Sequence, residues 1–132
     1  RAFEEGLGEL RPVESPQTYA TAIKIGSPVS WRRALMAARE SHGAIISVGD
    51  DSILEAQRDL ARVDGVFVEP ASAASLAGYR RALAEGLIDR GENVVAVLTG
   101  HGLKDPDAVM RFGVDETEVE PGKLRRELSA YQ

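Results

Sequence analysis

The sequence predicts an α/β fold with a mainly parallel sheet and flanking helices. Three short apolar runs, at positions 44–48, 66–70 and 93–98, have the length and composition of buried strands. Segments with apolar residues on one helical face lie between them. Because strands that alternate with helices are joined by right-handed crossovers, the strands should lie parallel and the helices should cover the sheet.

The first part of the chain leads into this pattern. Residues 1–18 contain two glycines and two prolines without a sustained period, which predicts a connector. Residues 19–25, YATAIKI, fit either a short strand or a tight loop beside a pocket. The first helix is expected after Ser30, a residue type that caps helices, and it should end at Gly43.

The next two helices carry start and stop signals of their own. The segment GDDSILEAQRDLARVDG predicts a second helix that Asp50 or Ser52 caps. Ser52 and Glu55 have the spacing of a capping box, and Gly65 should end the helix. A third helix, in ASAASLAGYRRALAEG, should end near Gly86.

The third helix also carries a stripe of small residues. Ala71, Ala74, Ser75 and Gly78 follow one another at helical spacing, so that they share one face. Such a face allows a helix to approach a neighbouring backbone closely. We expect it to pack tightly on the sheet.

The chain after the last strand is less regular. Residues 107–112 fit a short helix, and residues 123–131 fit another. The sequence therefore predicts three parts. These are a connector at 1–18, the main α/β body at 19–112 and a C-terminal extension with a short helix at 113–132.

Composition excludes several classes of function. The formal net charge is -5 and the pI is about 5.1, whereas nucleic-acid binding needs a basic surface, so no nucleic-acid partner is expected. The longest apolar run, Val94 to Leu98, is too short to cross a bilayer, and no membrane partner is expected. The chain has no cysteine, which excludes disulfides, thiolate metal sites and a cysteine nucleophile.

Known ligand motifs fail when they are tested on the sequence. Gly100 and Gly102 give G-x-G, but Asp105 stands where the dinucleotide fingerprint has its third glycine. His42 and His101 have no partner at metal-ligand spacing, so no metal site is expected. No nucleophile stands beside His101 to support it as a general base.

Two polar residues stand where predicted strands end. Ligands of parallel sheets bind beyond the carboxyl ends of the strands, and Thr99 and Glu69 lie at such ends. Thr99 could cap a turn, or its hydroxyl could bind the ring of a ligand. Glu69, held extended by Pro70, could cap the third helix through the helix dipole or take part in a pocket.

Three segments together resemble one enzyme family. TYATAIKIGSPVSW, VFVEPASAASLAG and VVAVLTGHGLKDP, in this order, are similar to the C-terminal part of threonine synthases, which are fold type II (tryptophan synthase β group) pyridoxal-phosphate enzymes. The resemblance runs from about Tyr19 to Asp107, and the third segment is the most specific. Threonine dehydratases and cysteine synthases share the architecture but usually differ around the last strand.

The resemblance implies an activity and a site. Family members are cytoplasmic lyases of threonine biosynthesis, often homodimers, that convert O-phospho-L-homoserine and water into L-threonine and phosphate with pyridoxal 5'-phosphate. By resemblance, Thr99 would hydrogen-bond the pyridine nitrogen of the cofactor, Ala22 would contact its ring and Glu69 would lie near the pocket. The main body would then belong to the large, cofactor-binding domain.

The chain departs from the family in what it lacks. It has only Lys24, Lys104 and Lys123, and none has the flanking sequence of the Schiff-base lysine; solvated surface roles are expected for all three. The Gly-rich phosphate loop and the substrate-binding residues are also missing. We therefore expect no catalytic residue in this segment and a missing N-terminal part of the same enzyme. The alternatives are another fold type II lyase, such as a threonine dehydratase, or a non-catalytic α/β binding module.

Overall fold

The computed structural model describes residues 2–6, 8–110 and 118–131. No helix in these ranges is long and apolar enough to span a membrane. Five α-helices are described, and the short helix expected at 107–112 begins one residue earlier, while residues 111 and 112 lie outside the described ranges. The helices are α1 (Trp31–Glu40), α2 (Asp50–Val63), α3 (Pro70–Ala84), α4 (Pro106–Met110) and α5 (Leu124–Leu128), with 3-10 turns at Thr21–Ile23, Gly102–Lys104 and Ser129–Tyr131.

The core lies between α2 and α3. The apolar face of α2 packs against alanines of α3, and the small alanine side chains let the two helices lie close together. Val68, which precedes α3, and Ala20, which precedes the first 3-10 turn, join the same buried cluster. The cluster consists of Ala20, Ile53, Ala56, Leu60, Val68, Ala73 and Ala77.

The small-residue stripe of α3 faces the segments that were predicted as strands. Ala74, Ser75 and Gly78 line an open apolar cleft of about 720 Å³, and residues 43–46 and 94–97 form its other walls. The orientation is the one expected for a helix on a sheet. In the described part of the chain these residues are only half-buried and the close contact of α3 is with α2, so the tight packing of the stripe on a sheet stays a prediction.

The described residues contain no β ladder. The segments 44–48 and 93–98 run outside the helices, and the one β bridge in the described ranges is antiparallel, between Val68 and His101. Strands of a parallel sheet need neighbours along their edges and cover on both faces, and the described part of the chain offers these segments neither. The parallel sheet therefore stays a prediction.

The N-terminus of α2 differs from the predicted cap. Gly49 is the N-cap residue, and no side chain caps the helix, so the prediction of Asp50 or Ser52 as the cap was wrong. Asp50 is the first helical residue, and its carboxylate accepts hydrogen bonds from Thr18 Oγ1 at 2.5 Å and from the Tyr19 N–H at 3.1 Å. These bonds tie the turn at 21–23 to α2.

The C-terminus of α1 is closed one residue earlier than predicted. His42, with φ 53°, is the left-handed residue, and Gly43 follows it. The Gly43 N–H donates to Ala38 O at 2.8 Å and the His42 N–H to Arg39 O at 3.2 Å, which is the Schellman pattern. Ser30 is the N-cap residue as expected, although its side chain makes no capping bond.

The boundaries of α3 agree with the sequence. Pro70 occupies the first helical position, and Glu69 before it is extended, with φ -70° and ψ 157°. At the other end Gly86 has φ 69°, and the Leu87 N–H closes the helix on Ala82 O at 2.9 Å. Both helix boundaries can be predicted locally, because they depend only on the backbone φ angles that proline and glycine adopt.

We expect His42→Gly to raise the stability of the protein. The left-handed conformation strains a residue with a Cβ, and relieving it should add about 0.5–1 kcal/mol to the free energy of unfolding, measured by thermal unfolding. Gly86→Ala is the matched control, because its Cβ would meet no atom within 4 Å and its only cost is the positive φ. Gly86→Ala should destabilise by about 1 kcal/mol. A destabilising His42→Gly would contradict this account of the α1 terminus.

Candidate functional site

The candidate site is built around the hydroxyl of Thr99. Thr99 is exposed at the end of the segment 93–98, and its Oγ1 lies 3.1 Å from Ser72 Oγ of α3. Ser72 is only 1% exposed. Its Oγ also accepts the Gly100 N–H at 2.6 Å and lies 3.1 Å from Gly100 O. The buried hydroxyl of Ser72 on α3 is therefore hydrogen-bonded to the exposed hydroxyl of Thr99.

Backbone hydrogen bonds place α3 against this turn. The Glu69 N–H donates to Gly100 O at 3.1 Å, and the Gly102 N–H donates to Phe67 O at 3.2 Å. Pro70 then starts α3 directly, so that Ser72 in its first turn faces the turn formed by residues 99–102. The positions of Thr99 and Ser72 thus follow from the antiparallel bridge and from the proline that starts the helix.

The carboxylate of Glu69 is buried and points to the same turn. Glu69 is 4% exposed, and although it is the N-cap residue of α3, its side chain makes no capping bond. Its Oε1 lies 3.4 Å from Lys104 Nζ and packs against Gly100. Glu69 thus stands at the N-cap position that one of the two interpretations gave it, without a side-chain capping bond, and its role in a pocket stays a prediction. Lys104 is 61% exposed, but its ammonium pairs with a buried carboxylate and is not simply solvated.

Both glycines of the G-x-G turn are required by close packing. A Cβ on Gly100 would collide with the Glu69 carboxylate, and a Cβ on Gly102 would come within 2.5–2.6 Å of three atoms of the Phe67 ring. Real Cβ atoms essentially never come so close to other atoms. The Phe67 ring also meets the edge of the His101 ring, with centroids 5.3 Å apart. The glycines thus allow residues 67–69 to lie directly against the turn.

A second hydrogen bond joins the turn that contains Ala22 to the same motif. The buried carboxylate of Asp105 accepts from Thr21 Oγ1 at 2.6 Å and from the Ala108 N–H at 3.3 Å. Residues 19–25 are therefore a tight loop with a 3-10 turn and not a strand. Ala22 is exposed in this turn, beside the residue that binds Asp105.

Comparison with known proteins places the chain in a family. Residues 1–100 match the family of pyridoxal-phosphate dependent enzymes. The chain belongs to this family. Threonine synthase from Methanocaldococcus jannaschii is 49% identical over 119 residues, which cover 90% of this chain and 29% of that protein. Threonine synthase from Halalkalibacterium halodurans is 49% identical over 135 residues, covering 99% of this chain and 37% of that protein.

A solved structure is similar as well. The crystal structure of a threonine deaminase from T.th. superposes with a TM-score of 0.56 and 26% sequence identity, over 89% of this chain and 36% of that one. This likeness fits the α/β class predicted from the sequence. The chain spans only about a third of the length of these pyridoxal-phosphate enzymes.

The residues around Thr99 fit one edge of the family's cofactor. A pyridine nitrogen accepts a hydrogen bond from a neutral donor, and Thr99 presents an exposed hydroxyl that is backed by a second neutral hydroxyl, Ser72. These residues fit the pyridine nitrogen of the cofactor, but they do not supply the lysine that would bind the cofactor covalently. Of the lysines, Lys104 pairs with Glu69, and Lys123 pairs with Glu120 on the surface at 2.8 Å.

The imidazole ring of His101 is hydrogen-bonded within its own turn. His101 Nδ1 accepts the Leu103 N–H at 3.2 Å, so this histidine caps the turn at 102–104. Within the described residues, no group of three or more histidine, aspartate or glutamate side chains could hold a metal ion. That the complete site binds no metal stays a prediction.

The sequence indicated Thr99 and Glu69 as candidate site residues, but it did not indicate Ser72, which hydrogen-bonds Thr99. The pattern of small residues in α3 predicts a packing face, and Ser72 lies beside that face. One signal was present: Ser72 is a hydroxyl in the first turn of a helix that begins at a predicted strand end, where ligands of parallel sheets bind. Asp105 and Thr21 both lie in the quoted motifs, but nothing in the sequence indicates that they pair.

Proposed function

We propose that the chain is the C-terminal part of a threonine synthase, which converts O-phospho-L-homoserine and water into L-threonine and phosphate with pyridoxal 5'-phosphate. The observation that carries the proposal is the 49% identity to threonine synthases over 90% or more of the chain. The likeness to threonine deaminase supports the wider class of enzyme, at 26% identity. A dehydratase-like lyase is therefore the second candidate.

In this proposal Thr99 donates a hydrogen bond to the pyridine nitrogen. Ala22 contacts the cofactor ring, and Glu69 lies near the pocket without reaching the nitrogen. The exposure of the Thr99 hydroxyl and its support by buried Ser72 favour this role, as does the bond from Thr21 that brings the turn of Ala22 to the motif. When bound, the cofactor supplies an electron sink, and the protein supplies position and electrostatics.

The choice of a hydroxyl determines how strong that sink is. A carboxylate beside the nitrogen would favour its protonated form, whereas a neutral hydroxyl can donate to the unprotonated form. The milder sink suits elimination and replacement better than transamination. The pairing of Glu69 with Lys104 supports this arrangement, because the buried negative charge next to the turn has its own cation.

The proposal assigns the rest of the site to polypeptide beyond this chain. The lysine that anchors the cofactor and the loop that holds its phosphate would come from an N-terminal part, and residues 19–112 would complete the large domain. Val95 and Val97, which are 88% and 67% exposed, support the need for further cover. With that cover, residues 44–48 and 93–98 would be strands of the parallel sheet. The chain alone would not catalyse the reaction, and the complete enzyme would be a homodimer.

Product analysis on the full-length parent protein tests the function. We expect phosphate and L-threonine from O-phospho-L-homoserine, and no turnover by the isolated chain under the same conditions. Formation of a 2-oxo acid from L-threonine, without phosphate release from phosphohomoserine, would instead indicate the dehydratase. A full-length protein that binds no pyridoxal phosphate would contradict both enzymes and favour a binding module.

A further inference from the structure

We propose that Thr21 and Asp105 are positioning residues that hold the turn of Ala22 against the cofactor ring. The inference rests on the proposed contact of Ala22 with the ring and adds two residues that act through it. Thr21 Oγ1 donates to Asp105 Oδ2 at 2.6 Å, across 84 positions of the sequence. Because an ionised carboxylate only accepts hydrogen bonds, the hydroxyl of Thr21 is the donor.

Asp105 is fixed relative to the turn at 99–102. Its side chain is buried, and its N–H donates to Gly102 O at 3.0 Å. Its Oδ1 accepts the Ala108 N–H at 3.3 Å, which holds the carboxylate against the first turns of α4. The second carboxylate oxygen therefore presents an acceptor to Thr21 whose position is tied to the turn at 99–102.

The turn of Ala22 is tied to the other end of this bond. Ala22 is the middle residue of the 3-10 turn that Thr21 begins, and the Lys24 N–H closes the turn by donating to Thr21 O at 3.1 Å. Ala20, directly before the turn, is fully buried in the core. The bond from Thr21 to Asp105 therefore links the turn that contains exposed Ala22 to the turn that carries the cofactor motif.

Thr18, on the other side of Ala20, makes a bond of the same kind to a different element. Its Oγ1 donates to the Asp50 carboxylate at 2.5 Å, at the start of α2. The bond of Thr18 ties the loop to α2, whereas the bond of Thr21 ties it to Asp105 and so to the cofactor motif. Losing either bond should lower stability, but losing the Thr21 bond should act more strongly on the cofactor.

Titration of the full-length apoenzyme with pyridoxal phosphate tests the inference. We expect Thr21→Val to raise the dissociation constant about fivefold, because the turn of Ala22 is no longer held against the ring. The visible circular dichroism of the bound cofactor, which reports the orientation of its ring, should change in the same variant. Thr21→Ser keeps the hydroxyl and should restore both values to those of the parent. Thr21→Ala repeats the test without the methyl group that valine adds.

Thr18→Val is the matched control, since it removes the other hydroxyl–carboxylate bond of the loop. It should lower the temperature of thermal unfolding but leave the dissociation constant within about twofold of the parent value. The circular dichroism of its bound cofactor should equal that of the parent.

The outcomes separate this inference from the proposed function. A loss of affinity in Thr21→Val that Thr21→Ser restores, and that Thr18→Val does not share, supports the positioning role. Equal losses in Thr18→Val and Thr21→Val mean a purely structural role and overturn the inference. If the parent releases phosphate from O-phospho-L-homoserine while Thr21→Val binds the cofactor like the parent, the inference alone fails. A parent protein that binds no pyridoxal phosphate contradicts the proposed function as well.

Discussion

Thr99→Val should weaken cofactor binding by the full-length enzyme about tenfold, equivalent to about 1.4 kcal/mol. Valine keeps the shape of threonine but removes the hydroxyl, so the pyridine nitrogen loses its donor and Ser72 loses its partner. Turnover should fall as well, because the ring is held less firmly against the substrate. The measurement is a titration of the apoenzyme with pyridoxal phosphate, followed by steady-state kinetics at saturating cofactor.

Thr99→Ser is the control for this prediction. It keeps the hydroxyl and removes only a methyl group, so its affinity for the cofactor should stay close to the parent value. If the serine and valine variants lose affinity to the same degree, the effect would come from the methyl group and packing, and the role of the hydroxyl would be wrong.

Gly102→Ala should strongly destabilise the protein. Its Cβ would come within 2.5–2.6 Å of three Phe67 ring atoms, and the ring is held against His101. Forcing the ring to move should cost about 1–3 kcal/mol, and it should displace the turn that carries Thr99. Thermal unfolding measures the loss of stability, and the apoenzyme titration measures the accompanying loss of cofactor affinity.

Two further variants make the cause of this effect testable. Gly91→Ala is the control, since its Cβ would meet no atom within 4 Å and φ there is not positive. It should be close to neutral. Combining Gly102→Ala with Phe67→Leu should recover part of the cofactor affinity, because the smaller side chain makes room. A Gly102→Ala protein with unchanged stability would show that the packing of this turn is not as described.

The sequence predicted those features that depend on one or two neighbouring residues. The start of α3 follows from Pro70 and its end from Gly86, and both are where local chemistry placed them. The cap of α2 was mispredicted because Asp50 binds Thr18, 32 residues away, and not its own helix. The left-handed His42 was missed because that conformation usually favours glycine.

The predicted strands show a second limit of prediction from sequence, which concerns strand pairing. Their apolar composition indicates extended, buried segments, but a ladder needs a neighbouring strand, and hydrophobic pattern does not say which segment that is. In the described ranges, Val68 pairs with His101 in a single antiparallel bridge. The composition of residues 93–98 predicted extended chain, and its pairing could not be read from the same residues.

The site was predicted in part for the same reason. Thr99 and Glu69 were named as candidates because apolar runs and the residues that follow them can be located from sequence. Ser72 was not, because its bond to Thr99 joins a helix to a turn 27 residues away. The bond between Thr21 and Asp105 spans 84 residues and has no local signature. Contacts of this kind become visible only when the elements are assembled.

The most direct measurement is the ¹⁵N NMR shift of the cofactor's pyridine nitrogen in the full-length enzyme. With pyridoxal phosphate labelled at this nitrogen, we expect the parent protein to give the shift of an unprotonated nitrogen that accepts a hydrogen bond. Thr99→Val should move the signal toward the value without a hydrogen bond. A protonated nitrogen in the parent protein, or a shift that Thr99→Val leaves unchanged, would contradict the assignment of Thr99.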